Sequence, residues 1–274
     1  MDRLHADVQR AVGGSFNLLR EISRISAHYE PGIPAELMTK RVLFLAYELE
    51  TLTRHLTAQS DKLMALNRFF FETHRFSCVH EPQRLASPSF ALRLNKVLSE
   101  RTGCPNVLEL LYAFLAERIT VPLEFVDLKP TCFLKWTENG QSRYIDITRG
   151  GRTLSSDELI ETLHTRFRLT GFSNAGLLDA CTFEGFISDY VTLLKSLTDP
   201  VYEADRILFL QDILVSYQPS NLQLIGERAL LHRRLGHMKR ALADLKRYFA
   251  FHERDRAPSE LVAAFDELNA LKND

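Results

Sequence analysis

Residues 102–116 read Thr-Gly-Cys-Pro-Asn-Val-Leu-Glu-Leu-Leu-Tyr-Ala-Phe-Leu-Ala. Gly103 and Pro105 punctuate two helices, because glycine accepts the left-handed conformation that closes one and proline fits the first position of the next. From Asn106 onward the second helix is apolar nearly all round, and such a helix belongs inside a core. Downstream the hydrophobic period changes to two over residues 122–128, 131–137 and 141–148. Glu138-Asn139-Gly140 joins the last two runs as a hairpin turn whose central residues tolerate positive φ. The reading is a small antiparallel sheet packed on a buried helix, an α+β arrangement. Gly150 and Gly151 end the sheet, and Ser155 with Glu158 forms a capping box for a helix to about Phe167.

Outward from this centre the chain is helical. Between Ser15 and Thr73 apolar residues recur at three and four, with Phe16, Leu19 and Ile22 on one helix and Leu37, Phe44, Leu45, Leu49 and Leu52 on a second. Pro31, Gly32 and Pro34 separate them, and a third helix is expected from Asp61 as its N-cap. Residues 74–90, with Pro82 and Pro88, read as a surface loop. Beyond about residue 171 helices follow one another to the end, with breaks at Pro200, Pro219, Gly236 and Pro258. Three segments result: a helical region over 1–74, the α+β core over 75–170 and helical pairs over 171–274.

Thirty-four Lys and Arg balance 35 Asp and Glu in 274 residues, for a net charge of −1. Bulk attraction to nucleic acid is excluded by that balance. The longest apolar runs, Val42 to Tyr47 and Leu110 to Ala116, are far shorter than the roughly 20 residues a membrane helix needs. Four scattered cysteines, 78, 104, 132 and 181, make no disulfide framework, and no apolar leader opens the chain, so a reducing cytoplasm is the expected location. None of the cysteines stands at metal-ligand spacing from a histidine, and no cofactor or metal is expected.

Asn221 to Ala250 resembles a tetratricopeptide repeat: with Gly236 as the inter-helix glycine, Ala229 and Ala241 fall on the small positions where helices cross and Pro219 on the closing proline. Ile225 and His232 stand where the pattern usually has aromatics. The resemblance implies a concave face lined by the first helix, carrying Gln223, Gly226, Leu230, Arg233 and Arg234. Residues 220–256 hold nine Lys and Arg against four acids. A solvated face is the ordinary explanation, yet paired arginines in a groove also suit carboxylates. An acidic protein or peptide is therefore the expected partner, with no nucleic acid, no membrane and an oligomeric state left open.

Phe90-Ala-Leu-Arg-Leu-Asn-Lys-Val-Leu-Ser-Glu-Arg-Thr-Gly-Cys-Pro105, followed by Leu110-Leu-Tyr-Ala-Phe-Leu-Ala-Glu-Arg118, resembles the signature of the Sir-B-type bacterial family, in which a transglutaminase-like core precedes tetratricopeptide repeats. That resemblance implies a papain-like arrangement of Cys, His and Asp. A helix N-terminus favours the thiolate, the His takes its proton and the Asp orients the imidazole. Carried onto this chain, the three positions are Cys104, Cys132 and Asp146. Many relatives carry Gly-His-Phe where this sequence has Thr131-Cys132-Phe133, so a thiol replaces the general base. Cys104 also stands one residue before the place the pattern gives the nucleophile. Core packing is the ordinary role for Cys132 at a strand entry, and a structural carboxylate held by backbone N–H groups the ordinary role for Asp146.

The expected fold is thus α+β and predominantly helical, a degenerate papain- or transglutaminase-like core followed by a C-terminal helical repeat with a cap. The expected function is a pseudoenzyme: a non-catalytic or vestigial protein-interaction and regulatory module. The alternative is a cysteine-dependent acyl-transferase or peptidase using Cys104.

Overall fold

The computed structural model describes residues 14–126, 133–168 and 180–273. The chain forms two compact units, Met1–Ile187 and Ser188–Asp274.

In the first unit, α1 (Gly14–Tyr29) and α2 (Ala35–Thr53) turn on the Pro31 to Pro34 break, burying Leu19, Ile22 and Ile25 from one and Met38, Val42 and Leu49 from the other. The third helix, α3 (Gln59–Asn67), begins after Ala58. Asp61 therefore lies in the first turn, where its charge suits the helix dipole, and is not the N-cap. At Arg68–Thr73 the helix widens to π geometry, with the His74 N–H reaching the Phe69 carbonyl at 2.9 Å. Widening buries the consecutive Phe69 and Phe70, the latter stacked 4.4 Å from Phe76 and edge-on to Tyr112.

Residues 74–90 are not only loop. Ser77–Cys78 forms a two-residue strand, β1, parallel to β2 (Thr102–Gly103). Between them α4 (Leu94–Glu100) receives its N-terminal capping bond from another helix, as Ser26 Oγ accepts the Leu94 N–H at 2.9 Å. The left-handed residue closing α4 is Arg101, with φ 57°, and not Gly103. Gly103 serves packing instead: a Cβ there would sit 2.9 Å from Val97 Cγ2 and 3.3 Å from the Ala91 carbonyl.

Pro105 opens α5 (Pro105–Arg118) at its first turn as expected, and every residue from Val107 to Ala116 is buried. Against it lies an antiparallel sheet in the order β3 (Leu123–Phe125), β4 (Phe133–Glu138), β5 (Gln141–Asp146) and β6 (Arg152–Leu154). Asn139 and Gly140, at φ 52° and 76°, make the expected hairpin, which pairs Phe133 with Asp146 and Leu134 with Ile145. Gly150 and Gly151 do not end the sheet: they turn β5 into β6, a fourth strand the hydrophobic pattern was too short to signal. Alternation sends Leu134, Trp136 and Ile145 to one face and Phe133, Tyr144 and Asp146 to the other. The second face packs on Leu159 and Leu163 of α6 (Ser156–Phe167). That helix starts at the capping box, with Glu158 N–H to Ser155 Oγ at 3.2 Å and Ser155 N–H to Glu158 Oε2 at 2.8 Å.

The division between units falls inside α7 (Phe183–Ser196). The second unit continues with α8 (Ala204–Tyr217), α9 (Leu222–Arg234), α10 (Met238–Phe249) and α11 (Ser259–Asn273). Its core holds Ile225, Ala229, Ala241, Leu245, Tyr248, Leu261 and Leu268. Both alanines marked by sequence as close-crossing positions are fully buried. The fold is α+β and predominantly helical. Among the described residues no helix is long and apolar enough to cross a membrane.

Candidate functional site

Four elements converge near the start of α5. Cys104 is its N-cap residue, with its N–H bonded to the Ala91 carbonyl at 2.7 Å. The side chain makes no capping bond and is 1% exposed. Burial, aided by the nearby Cys78 thiol, pushes the Cys104 thiol up to about 12. The pairing of β1 with β2 sets Cys78 opposite Gly103, one residue before Cys104. Burial and the charge of Asp146 raise the Cys78 thiol to about 11 against the opposing effect of Arg166. Its sulfur lies 4.0 Å from His80 Nδ1.

Asp146 ends β5 on the face towards α6 and is 1% exposed. Oδ1 accepts the Thr148 N–H at 2.9 Å and the Thr148 hydroxyl at 2.5 Å, capping the short turn Ile147–Arg149. Oδ2 accepts Arg166 Nη1 at 3.0 Å, and Arg166 Nη2 donates to Thr148 Oγ1 at 2.8 Å. Both carboxylate oxygens are thereby engaged by an arginine and a threonine. Among the described residues no imidazole bonds to Cys104 or Asp146. Cys132, the residue expected at the general-base position, lies outside the described residues.

Sequence reading marked Cys104 and Asp146 but missed Cys78, Thr148 and Arg166. Cys78 enters through a two-residue strand that carries no periodic signal, and Arg166 through the docking of α6. The only local signal was Asp146 two residues before Thr148, the spacing of an Asx turn. Beside this cluster a second polar network joins the elements: Tyr112 donates to Asn67 Oδ1 at 2.7 Å, and Asn67 Nδ2 to the Gly151 carbonyl at 3.2 Å.

The second unit holds a cavity of about 650 Å³ whose walls include Lys195, Glu227, Leu230, Arg233, Arg234 and Glu267. Leu230 and both arginines thus share one concavity, while Gln223 is spent on Glu227 Oε1 at 3.1 Å. Gly226 is buried under Leu261 and Tyr248, because the last helix packs where a concave face was expected. Arg233 is already paired with Glu267 of α11 at 2.5 Å. Arg234 is exposed and makes no ion pair among the described residues. Lys195 donates to Glu227 at 2.9 Å and Gln211 at 2.7 Å. Burial pushes the Glu227 carboxyl up, but the bonds from Lys195, Gln223 and Gln211 outweigh it and hold the group below its usual range.

A family model described as the transglutaminase-like superfamily matches residues 36–186. The chain is 26% identical to a UPF0162 protein of Xylella fastidiosa strain Temecula1 and 25% identical to one of strain 9a5c. Each match covers 196 residues, 70% of this chain and 68% of the relative. No solved structure matches.

Proposed function

The chain belongs to the transglutaminase-like superfamily, and on that premise we propose that it is a vestigial member, of the Sir-B type, in which the core is a scaffold and the C-terminal helices act as a tetratricopeptide-like interaction module. The observation that carries this reading is the fate of the orienting carboxylate. In a working Cys-His-Asp set the Asp holds an imidazole beside the thiol. Here Asp146 holds Arg166 and Thr148, and Cys104 is kept protonated by burial. A nucleophile without its base forfeits about 10² to 10⁴ in rate.

The concavity of the second unit gives the interaction half of the proposal its chemistry. Leu230 offers apolar contact and Arg234 a guanidinium that makes no ion pair among the described residues, a combination suited to a peptide with a free or side-chain carboxylate. The competing reading, an acyl-transferase or peptidase using Cys104, has the position of that thiol at a helix start in its favour. One experiment separates them: hydrolysis and amine transfer on a panel of peptide amides and esters, measured for the native chain and for Cys104→Ala. The proposal expects no turnover above background in either. Turnover that Cys104→Ala abolishes refutes it.

A further inference from the structure

The helix α2 carries two sets of apolar residues. One, with Met38, Val42, Leu45 and Leu49, is buried in the first unit. Elsewhere on the helix Leu37 is 49%, Phe44 69%, Tyr47 67% and Leu52 54% exposed, at steps of seven, three and five residues. Four large apolar side chains are left in water along about 22 Å of one helix, in a stripe interleaved with Lys40, Arg41, Glu48 and Thr51 on the same side, a denser apolar exposure than ordinary surfaces carry.

The order of residues along the stripe identifies what fits it. Leu37 with Leu52, Phe44 with Tyr47, Arg41 with Glu48 and Glu36 with Arg54 are each centred within half a residue of position 45. A helix with such a centre is complementary to a reversed copy of itself. Laid antiparallel, Leu37 meets the partner's Leu52, Phe44 meets the partner's Tyr47, and Glu36 comes beside the partner's Arg54, each contact occurring twice. Glu36 and Arg54 are exposed and make no ion pair among the described residues, so both are available. Arg41 and Glu48 stand between Leu37 and Leu52 but are drawn onto their own unit, Arg41 donating to the Leu98 carbonyl and Glu48 pairing with His74. A parallel copy would instead set Glu36 against Glu36 and Arg54 against Arg54.

We propose that the α2 stripe is an isologous interface through which two copies of this chain associate antiparallel about a two-fold axis near residue 45. Twofold repetition places the Phe44 and Tyr47 rings at the centre, where desolvated aromatics contribute most, and the charges at the rim, where they set register. One helix face buries less than the about 800 Å² per partner of a standard interface. The dimer is therefore reversible, with a dissociation constant on the order of 10 to 100 micromolar.

Sedimentation equilibrium on the full chain across that concentration range tests the proposal. The native chain should pass from monomer to dimer. Phe44→Glu with Tyr47→Glu, both at exposed positions, should raise the dissociation constant at least tenfold with an unchanged melting temperature. Glu36→Arg alone and Arg54→Glu alone should each weaken association, and the two together should restore it. A chain that stays monomeric at every concentration overturns the proposal, whether the stripe stays bare or is taken by the chain's own first 13 residues. So does a dimer indifferent to Phe44 and Tyr47. Failure of the double charge exchange to rescue overturns the antiparallel register.

Discussion

A helix N-terminus and a dry surrounding pull a thiol in opposite directions, and Cys104 shows which prevails. The helix dipole favours a thiolate by about 0.3 to 2 kcal/mol, whereas burial has carried this group up to about 12. The sign of the pH dependence follows. A thiol raised in the folded state keeps its proton there while the unfolded chain loses its own above about pH 8.5. Stability is therefore whole below that point and is lost as pH rises, with a slope approaching about 1.4 kcal/mol per pH unit for this one group. Urea unfolding of the native chain between about pH 8.5 and 10 should show the decline, and Cys104→Ala should reduce its slope, leaving the part contributed by Cys78, whose thiol burial also raises. Alkylation of native Cys104 by iodoacetamide at pH 7.5 should be far slower than that of an unfolded control. Asp146 makes a second test at this scale. Asp146→Asn keeps the shape but strips the charge facing Arg166, and should destabilise by about 2 to 4 kcal/mol. Pairing it with Arg166→Met should cost less than the sum of the two single changes, because both remove the same Asp146–Arg166 contact. Additive losses would remove the structural role assigned to the pair.

Between residues and the whole fold, the local code was readable wherever a short segment settles its own conformation. Pro105 started α5, Asn139-Gly140 turned the hairpin and Ser155 with Glu158 capped α6, each by a bond or dihedral preference needing no distant partner. Features imposed by packing were not readable. The strands β1 and β2 are two residues each, and Gly103 is needed because Val97 crowds it, a reason visible only once α4 has folded back. The same division explains the site. Cys104 and Asp146 lie on elements with clear patterns, while Cys78 and Arg166 arrive through tertiary contacts. The adjacent glycines 150 and 151 test the argument, since both have positive φ but only one is crowded. A Cβ on Gly150 meets nothing within 4 Å, whereas one on Gly151 would collide with Asn67 Oδ1 and lie 2.8 Å from Phe71 Cε2. Gly150→Ala should cost about 1 to 2 kcal/mol, the left-handed penalty alone. Gly151→Ala should cost several kcal/mol, because it must also displace Asn67 from Tyr112 and the Gly151 carbonyl. Equal losses, measured by chemical denaturation, would mean that backbone strain alone governs this turn.

At the scale of the molecule, polar commitments differ between the two units. In the first, the site carboxylate is consumed internally by Arg166 and Thr148. In the second, Lys195 and Arg233 of the concavity are paired with Glu227 and Glu267, whereas Arg234 is exposed and makes no ion pair among the described residues. An exposed ion pair is worth about 0 to 1 kcal/mol, so the Arg233 pair contributes little to stability and a stronger carboxylate ligand could displace Glu267. The proposed acidic partner therefore makes an asymmetric prediction. Arg234→Glu should lower affinity for a carboxylate-bearing peptide by at least tenfold while leaving the melting temperature within about a degree, as surface changes usually do. Glu267→Gln should act the other way, raising affinity several-fold by releasing Arg233 from its internal competitor. Both effects should shrink as salt rises from 50 to 500 mM, because the concavity is open to solvent and its charges are screened. Fluorescence anisotropy with acidic peptides, each compared with its amide-substituted counterpart, reads all three. Equal binding of the acidic and amide peptides, or a Glu267→Gln chain that binds no better than the native one, would mean that the guanidinium pair does not select the partner, and the interaction half of the proposed function would fall with it.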